Sequence, residues 1–318
     1  MAEYISIRGQ NVRVVSSDPA NPTLGQIWYN TTSQSLKGYA FQPAVWASGG
    51  NLATARYGLA GDGLQTAAVV FGGSGNSNST EEYDGSAWTA GGNLATARAY
   101  LAGAGTQTAA LGFGGYIPPT GTNTDATEEY DGSAWTAGGN LGTAREYIGG
   151  AGTQTAGLAF GGEPPQTAAT EEYSGTAWTA GGTMNTARSR VGAAGTQTAG
   201  LAIGGNLPPF SNVTEEYDGS AWTVGGTLNT ARYGLAGAGT QTAAVAFGGY
   251  SGDPTTATEE YDGSAWTTST NMISKRRYLA GAGVQTAALA AGGLGPPTYN
   301  ITEEYTGGFN APVTISGS

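Results

Sequence analysis

Six pairs of adjacent glutamates are the residues best placed, by type and repetition, to do chemistry. They are Glu81–Glu82, Glu128–Glu129, Glu171–Glu172, Glu215–Glu216, Glu259–Glu260 and Glu303–Glu304. Two carboxyls flanking one glycosidic bond would suit glycan hydrolysis. Neighbouring residues of a strand point to opposite faces, however, so each pair is expected to be split rather than convergent. The first Glu shares a face with the Tyr that follows the pair, and its expected partner is the single Arg that recurs once per repeat. The remaining acids with chemistry in reach are Asp125, Glu163 and Asp253, in segments of variable length. The recurring G-A-G-x-Q-T run holds a spaced glycine pair. It lacks the Lys and the strand-to-helix context of a phosphate loop, so it reads as core strand. The chain has no His and no Cys. That removes the imidazole base, the Ser-His-Asp triad, imidazole-based zinc or copper sites, thiol nucleophiles and disulfides. No catalytic residue, metal site or cofactor is expected.

The elements that carry these residues recur. A unit reading T-A-R, G-A-G-x-Q-T-A, G-G and E-E-Y-D-G-S-A-W runs through the 318 residues six times. Its Arg falls at Arg56, Arg98, Arg145, Arg188, Arg232 and Arg276, and the first Gly of each pair follows 16 residues later, at Gly72, Gly114, Gly161, Gly204, Gly248 and Gly292. From each of Tyr83, Tyr130, Tyr173, Tyr217 and Tyr261 to the next Arg is 15 residues. All length variation therefore sits between Gly-Gly and Glu-Glu-Tyr, in SGNSNST, YIPPTGTNTDAT, EPPQTAAT, NLPPFSNVT, YSGDPTTAT and LGPPTYNIT. Fixed spacing marks framework and tolerated insertion marks exposed loop.

A period of about 42 to 47 residues, with turns at Gly-Gly and Asp-Gly, suits one four-stranded propeller blade. Strand a follows the Arg, b ends at Gly-Gly, c is the Glu-Glu-Tyr run and d lies at the Trp. Strand a is nearly devoid of bulk, as crowding around a central axis requires, and Tyr and Trp are expected to pack between blades. Gly-Gly pairs and Thr-rich runs disfavour helical repeats. The d-strand Trp occurs at Trp46, Trp88, Trp135, Trp178, Trp222 and Trp266, so the chain enters on d and leaves on c. The expected fold is an all-β, six-bladed propeller, with the N-terminal d strand at Trp46 completing the blade begun by the last a-b-c strands. This leaves no exposed sheet edge. The expected domains are an arm at 1–38, the propeller at 39–305 and a tail at 306–318.

The balance of 12 basic against 23 acidic residues, a net charge of −11, argues against nucleic acid as a partner. Lys275, Arg276 and Arg277 form the one basic cluster and read as a solvated face. The start MAEYISIRGQ lacks the basic end and apolar run of a secretory signal. No stretch approaches the roughly 18 apolar residues of a membrane span. Synthesis without a signal peptide, and no membrane insertion, are the expectations.

The paired Gly ending strand b, the Tyr, the Trp and the Arg opening strand a together resemble the kelch family of β-propellers, over about residues 39–305. Tyr to Trp is five residues here, shorter than the usual kelch spacing, so the likeness is kelch-like. Galactose oxidase shares a related fold, but its copper site needs a His and a Cys-linked Tyr. The D-G-S-A-W run looks a little like the sialidase Asp box, with Asp and Gly adjacent, the Trp one residue closer, and Ser174 replacing Asp in one repeat. A second resemblance lies in PTLGQIWYNTTSQSLKGY, Pro22 to Tyr39, through Gly25, Gln26, Trp28, Tyr29, Asn30, Leu36 and Lys37. It is similar to a segment of bacteriophage tail and fibre proteins.

That resemblance implies a non-enzymatic virion protein, docked to other virion components by its N-terminal arm and compatible with a homo-oligomer. The b–c loops share one end of the blades with the d–a connections, and they present Pro-stiffened aromatics. Tyr116, Pro119, Pro165, Phe210, Tyr250 and Tyr299 are the expected ligand-binding residues, for a host-surface receptor or glycan, since rigid aromatic loops lose little entropy on binding. The alternatives are a purely architectural virion decoration and a carboxylate-based glycan hydrolase.

Overall fold

A computed structural model describes residues 3–7 and 10–315 of the chain. Every regular element among the described residues is a β-strand. The chain splits into two compact units, Met1–Val45 with Gly307–Ser318, and Trp46–Thr306.

Among the described residues, the larger unit holds six four-stranded sheets and one two-stranded hairpin. In the first, Ala60–Leu64, Ala67–Phe71, Thr80–Tyr83 and Trp88–Ala90 lie side by side in chain order, as strands a, b, c and d. The last sheet takes strands a to c from Ala280–Val284, Ala287–Ala291 and Thr302–Thr306, and its fourth strand from Val45–Ser48. The strand containing Trp46 therefore stands where the sequence placed it. Each a strand touches the a strand of the next sheet, and Ala280–Val284 touches Ala60–Leu64. That approach explains the small residues: a Cβ on Gly150 would sit 2.4 Å from the Gly103 carbonyl oxygen, and one on Gly237 2.4 Å from that of Ala193.

Three repeated contacts tie each sheet to the one before it. Each d-strand indole N–H donates to the Thr opening the previous c strand, from Trp135 to Thr80 at 2.8 Å through Trp46 to Thr258 at 3.1 Å. Each c-strand Tyr hydroxyl donates to the second Glu of the previous pair, as Tyr130 does to Glu82 at 2.6 Å and Tyr83 to Glu304 at 2.5 Å. Burial pushes the Tyr130 hydroxyl up to about 12, so it stays a donor. Each Gln in the a–b turn donates twice to backbone carbonyls of the previous sheet, as Gln107 does to Ala68 at 3.0 Å and Tyr83 at 2.7 Å. Tyr also packs against the Trp of its own sheet, with Tyr83–Trp88 centroids 4.8 Å apart and the rings tilted by 36°. Such aromatic pairs contribute about 0.5–1.5 kcal/mol beyond their buried area.

In the smaller unit, Glu3–Ile7, Gln10–Val15, Ile27–Asn30, Ser35–Gln42 and Phe309–Thr314 form one five-stranded sheet in that order. The C-terminal strand pairs from Phe309 opposite Gln42 to Thr314 opposite Lys37. The unit boundaries thus fall at Val45 and Gly307, where the sequence reading divided the chain after residues 38 and 305. The motif residues have local roles here. Trp28 is fully buried, and its indole N–H and the Asn30 amide both donate to Asp18, at 2.9 and 2.7 Å. The Asn30 side chain, followed by its Trp28 neighbour, holds the Asp18 carboxyl below the usual range. Gly25 turns the chain at φ +83°.

Candidate functional site

The repeated Arg is the root of the site. Arg98 is fully buried; it pairs with Glu128 at 2.8 Å and donates to the Gly114 and Ala126 carbonyls at 3.0 and 2.7 Å. The same pairing of Arg with the first Glu occurs in all six repeats. Burial lowers the guanidinium pKa, and the facing Glu128 opposes that shift. Gly114 is the first residue after strand b and Ala126 the last before strand c, so this Arg grips both roots of a variable loop. The second Glu of each pair is taken by a Tyr hydroxyl of the next sheet. Each Glu-Glu pair is thus split, as its alternation requires.

The b–c loops and d–a connections meet at one end of the sheets. Isolated bridges join the residue after the Arg to the residue after Gly-Gly, as Ala99 to Tyr116, Glu146 to Glu163 and Tyr233 to Tyr250. The residue two after each Arg is Gly58, Tyr100, Tyr147, Arg190, Gly234 or Tyr278, and all six have left-handed φ between 53° and 65°. Each of their N–H groups donates to the carbonyl of its counterpart one repeat back, from Tyr100 to Gly58 at 2.6 Å onward, and Gly58 donates to Tyr278 at 2.8 Å.

Four of those six positions therefore carry bulky side chains in a conformation that costs them about 1–3 kcal/mol each, while Gly occupies it freely. Their side chains converge. Tyr100 and Tyr147 centroids are 4.2 Å apart, Tyr278 lies 5.5 Å from Tyr100, and the Arg190 guanidinium sits 4.4 Å over Tyr147. Together they line a cavity of about 140 Å³. The aromatic surface continues outward through Tyr233 to Tyr250 and Phe210, with centroid spacings of 5.2 and 5.7 Å.

Arg190 is neutralised by Glu163 at 2.6 Å, and Ser189 donates to the same carboxylate at 2.8 Å. Glu146, bridged to Glu163 through the backbone, has its carboxyl pushed up to about 7 by burial and then by the Glu163 charge. Lys275 pairs with Asp253, and Asn140 approaches Asp125 at 3.4 Å.

Of the residues singled out from sequence, Phe210 and Tyr250 belong to this aromatic surface. Tyr116 opens a two-stranded hairpin, Tyr116–Ile117 with Thr122–Asn123. Tyr299 lies over its own loop, where a Cβ on Gly295 would come within 2.5 Å of its ring. Pro119 and Pro165 are exposed in their loops. Tyr100, Tyr147, Arg190, Tyr233 and Tyr278 were not foreseen. Their signal lay in the alignment of repeats, where the two positions after the framework Arg both vary; Tyr233 takes the first, the other four the second. The basic cluster differs from its solvated reading. Arg276 is fully buried and ion-paired, Arg277 is partly buried among tyrosines, and Lys275 alone is largely exposed.

Farther along the a strands a second cavity, about 200 Å³, is walled by Gly and Ala except for Asp62. Equivalent positions hold Ala104, Ala151, Ala194, Ala238 and Ala282. Although Asp62 as a residue is partly exposed, its Oδ2 is sealed and has no hydrogen-bond partner, and burial pushes its carboxyl well above the usual range. A raised folded-state pKa means stability that is present below the unfolded value of 3.8 and is lost as pH rises through the folded one. Asp62→Ala is therefore expected to stabilise the protein by about 1–3 kcal/mol, most at alkaline pH. Thermal midpoints from pH 4 to 9 check this, and superimposable profiles for the two proteins would refute it.

Among the described residues, no group of three or more His, Cys, Asp or Glu side chains is arranged to hold a metal ion. Set against protein-family models and curated proteins, the chain matches none.

Proposed function

We propose that the chain is a kelch-like, six-bladed propeller of a bacteriophage virion, non-enzymatic, whose loop-bearing end binds a host-surface receptor, a glycan in the first instance. The N-terminal unit would attach it to other virion proteins. Ring closure is supported by the cyclic order of a-strand contacts and by the backbone hydrogen bonds that run from Gly58 round to Tyr278. The virion assignment rests on the likeness of Pro22 to Tyr39 to phage tail and fibre proteins.

The observation that carries binding is the set of four non-glycine residues held at left-handed φ around one cavity. Strain of this kind persists where the side chain has work to do. Aromatic faces with adjacent hydroxyl and guanidinium donors suit sugar rings, which offer apolar faces and polar edges.

Glycine already stands at two of the six positions, so Tyr147→Gly relieves backbone strain while removing the ring. The full-length variant is expected to unfold within about 1 kcal/mol of the parent and to lose at least tenfold in saturable attachment of labelled protein to host cells. Unchanged attachment would remove the cavity from receptor binding and favour the architectural alternative.

A hydrolytic reading has one observation in its favour. Glu146, its carboxyl pushed up to about 7 by burial and then by the Glu163 charge, neighbours Glu163, which is ion-paired with Arg190. Release of reducing ends from a host glycan by the parent, abolished in Glu146→Gln, would establish it.

A further inference from the structure

Arg277 stands apart from every other arginine between Trp46 and Thr306. Arg56, Arg98, Arg145, Arg188, Arg190, Arg232 and Arg276 each have a Glu within ion-pair distance. Among the described residues Arg277 has none, in a chain of net charge −11. Its guanidinium lies 4.4 Å over the Tyr250 ring and 5.3 Å from that of Tyr278, and one Nη donates to the Tyr233 hydroxyl at 3.0 Å. Its Nε is sealed without a partner. Three rings thus hold a planar five-donor group in place, so little rotamer freedom remains to be lost on binding. Arg190 lies 5.5 Å from the same Tyr233 ring, with its charge already spent on Glu163.

We propose that this rim binds the anionic group of an acidic sugar, with Arg277 as the hook and the adjoining tyrosines as the bed for the ring. The inference rests on the glycan-receptor reading and narrows it to charged glycans. Arg277 does not itself line the cavity of about 140 Å³, but the Tyr278 ring that it faces does, so the hook stands beside the cavity mouth. The acidic surface as a whole repels long polyanions, which leaves a short, local anion as the fitting partner. Carboxylate and phosphate both match the guanidinium fork, so either a uronic or sialic acid or a phosphorylated sugar supplies the chemistry.

The test is calorimetric titration of the full chain with four pairs of sugars. Trigalacturonate is set against galactotriose, sialyllactose and glucuronic acid against lactose and glucose, and galactose 6-phosphate against galactose. At least one charged member is expected to bind tenfold or more tightly than its neutral partner. Arg277→Gln is expected to abolish that preference, so that charged and neutral partners bind alike. Arg277→Lys, which keeps the charge without the planar fork, should retain only part of it, and it carries the test should the glutamine variant unfold. Preference for galactose 6-phosphate alone keeps the hook and makes phosphate the source. Equal binding of charged and neutral partners, an unchanged preference in both variants, or no binding by any sugar would overturn the proposal. Host-cell attachment that still depends on Tyr147 would then show that the receptor reading survives it; attachment indifferent to Tyr147 would remove both.

Discussion

Glu215→Ala is expected to lower stability by about 3–5 kcal/mol, among the largest effects of any single replacement in this chain. Glu215 and Arg188 are both wholly buried and meet at 2.8 Å. The other carboxylate oxygen accepts the Asn185 backbone N–H at 2.6 Å and its side-chain amide at 2.9 Å. Truncation leaves a buried guanidinium without a counter-charge and two donors without an acceptor. Replacing both partners, as Arg188→Met with Glu215→Leu, should recover much of the loss, because no charge is then stranded. Recovery should be incomplete, since Arg188 also serves the Gly204 and Val213 carbonyls at 2.6 and 2.7 Å. Denaturant unfolding measures all three proteins. A loss below about 1 kcal/mol for Glu215→Ala would mean that water reaches the pair.

Trp46→Ala should cost about 3–5 kcal/mol, as much as Trp266→Ala to within about 1 kcal/mol. Both indoles are buried, at 7% and 5% exposure, though Trp46 reaches its sheet from the opposite end of the chain. It lies 5.1 Å from Phe247 and 5.0 Å from Tyr305, and it donates to Thr258, 212 residues away. Equal penalties would mean that the strand Val45–Ser48 is as much a part of its sheet as any internal d strand. A near-neutral Trp46→Ala beside a costly Trp266→Ala would mean that the last sheet stands without its fourth strand, and ring closure would fall with it.

How much of this was legible before any coordinates depends on which residues speak through side-chain chemistry and which through backbone. The Arg, the two Glu, the Tyr and the Trp recur at fixed spacing, and the alternation along T-E-E-Y separates the two carboxylates without further information. The place of Trp46 followed from counting d strands. Left-handed backbone at Tyr100, Tyr147, Arg190 and Tyr278 has no residue signature, because the usual mark is glycine; only Gly58 and Gly234, aligned with them, carried it. The pairing of Phe309–Thr314 with Ser35–Gln42 was equally silent, since FNAPVT has no counterpart among the repeats to be compared with. Phe210 and Tyr250 were found because aromatic residues in Pro-bearing loops are conspicuous. Their neighbour Tyr233 was hidden beside a framework arginine.

Arg56, Arg98, Arg188 and Arg276 each grip both roots of their loop, and that grip divides the labour of the chain. Arg98 closes a loop of YIPPTGTNTDAT with the same carbonyl contacts that Arg56 gives SGNSNST, to Gly72 at 3.1 Å and Ser79 at 2.9 Å. What lies beyond the roots is insulated from the sheets below, and closure entropy rises only slowly with added length. The four loops so gripped are in effect cassettes on a common chassis, whose tips can diversify while their roots keep the fold.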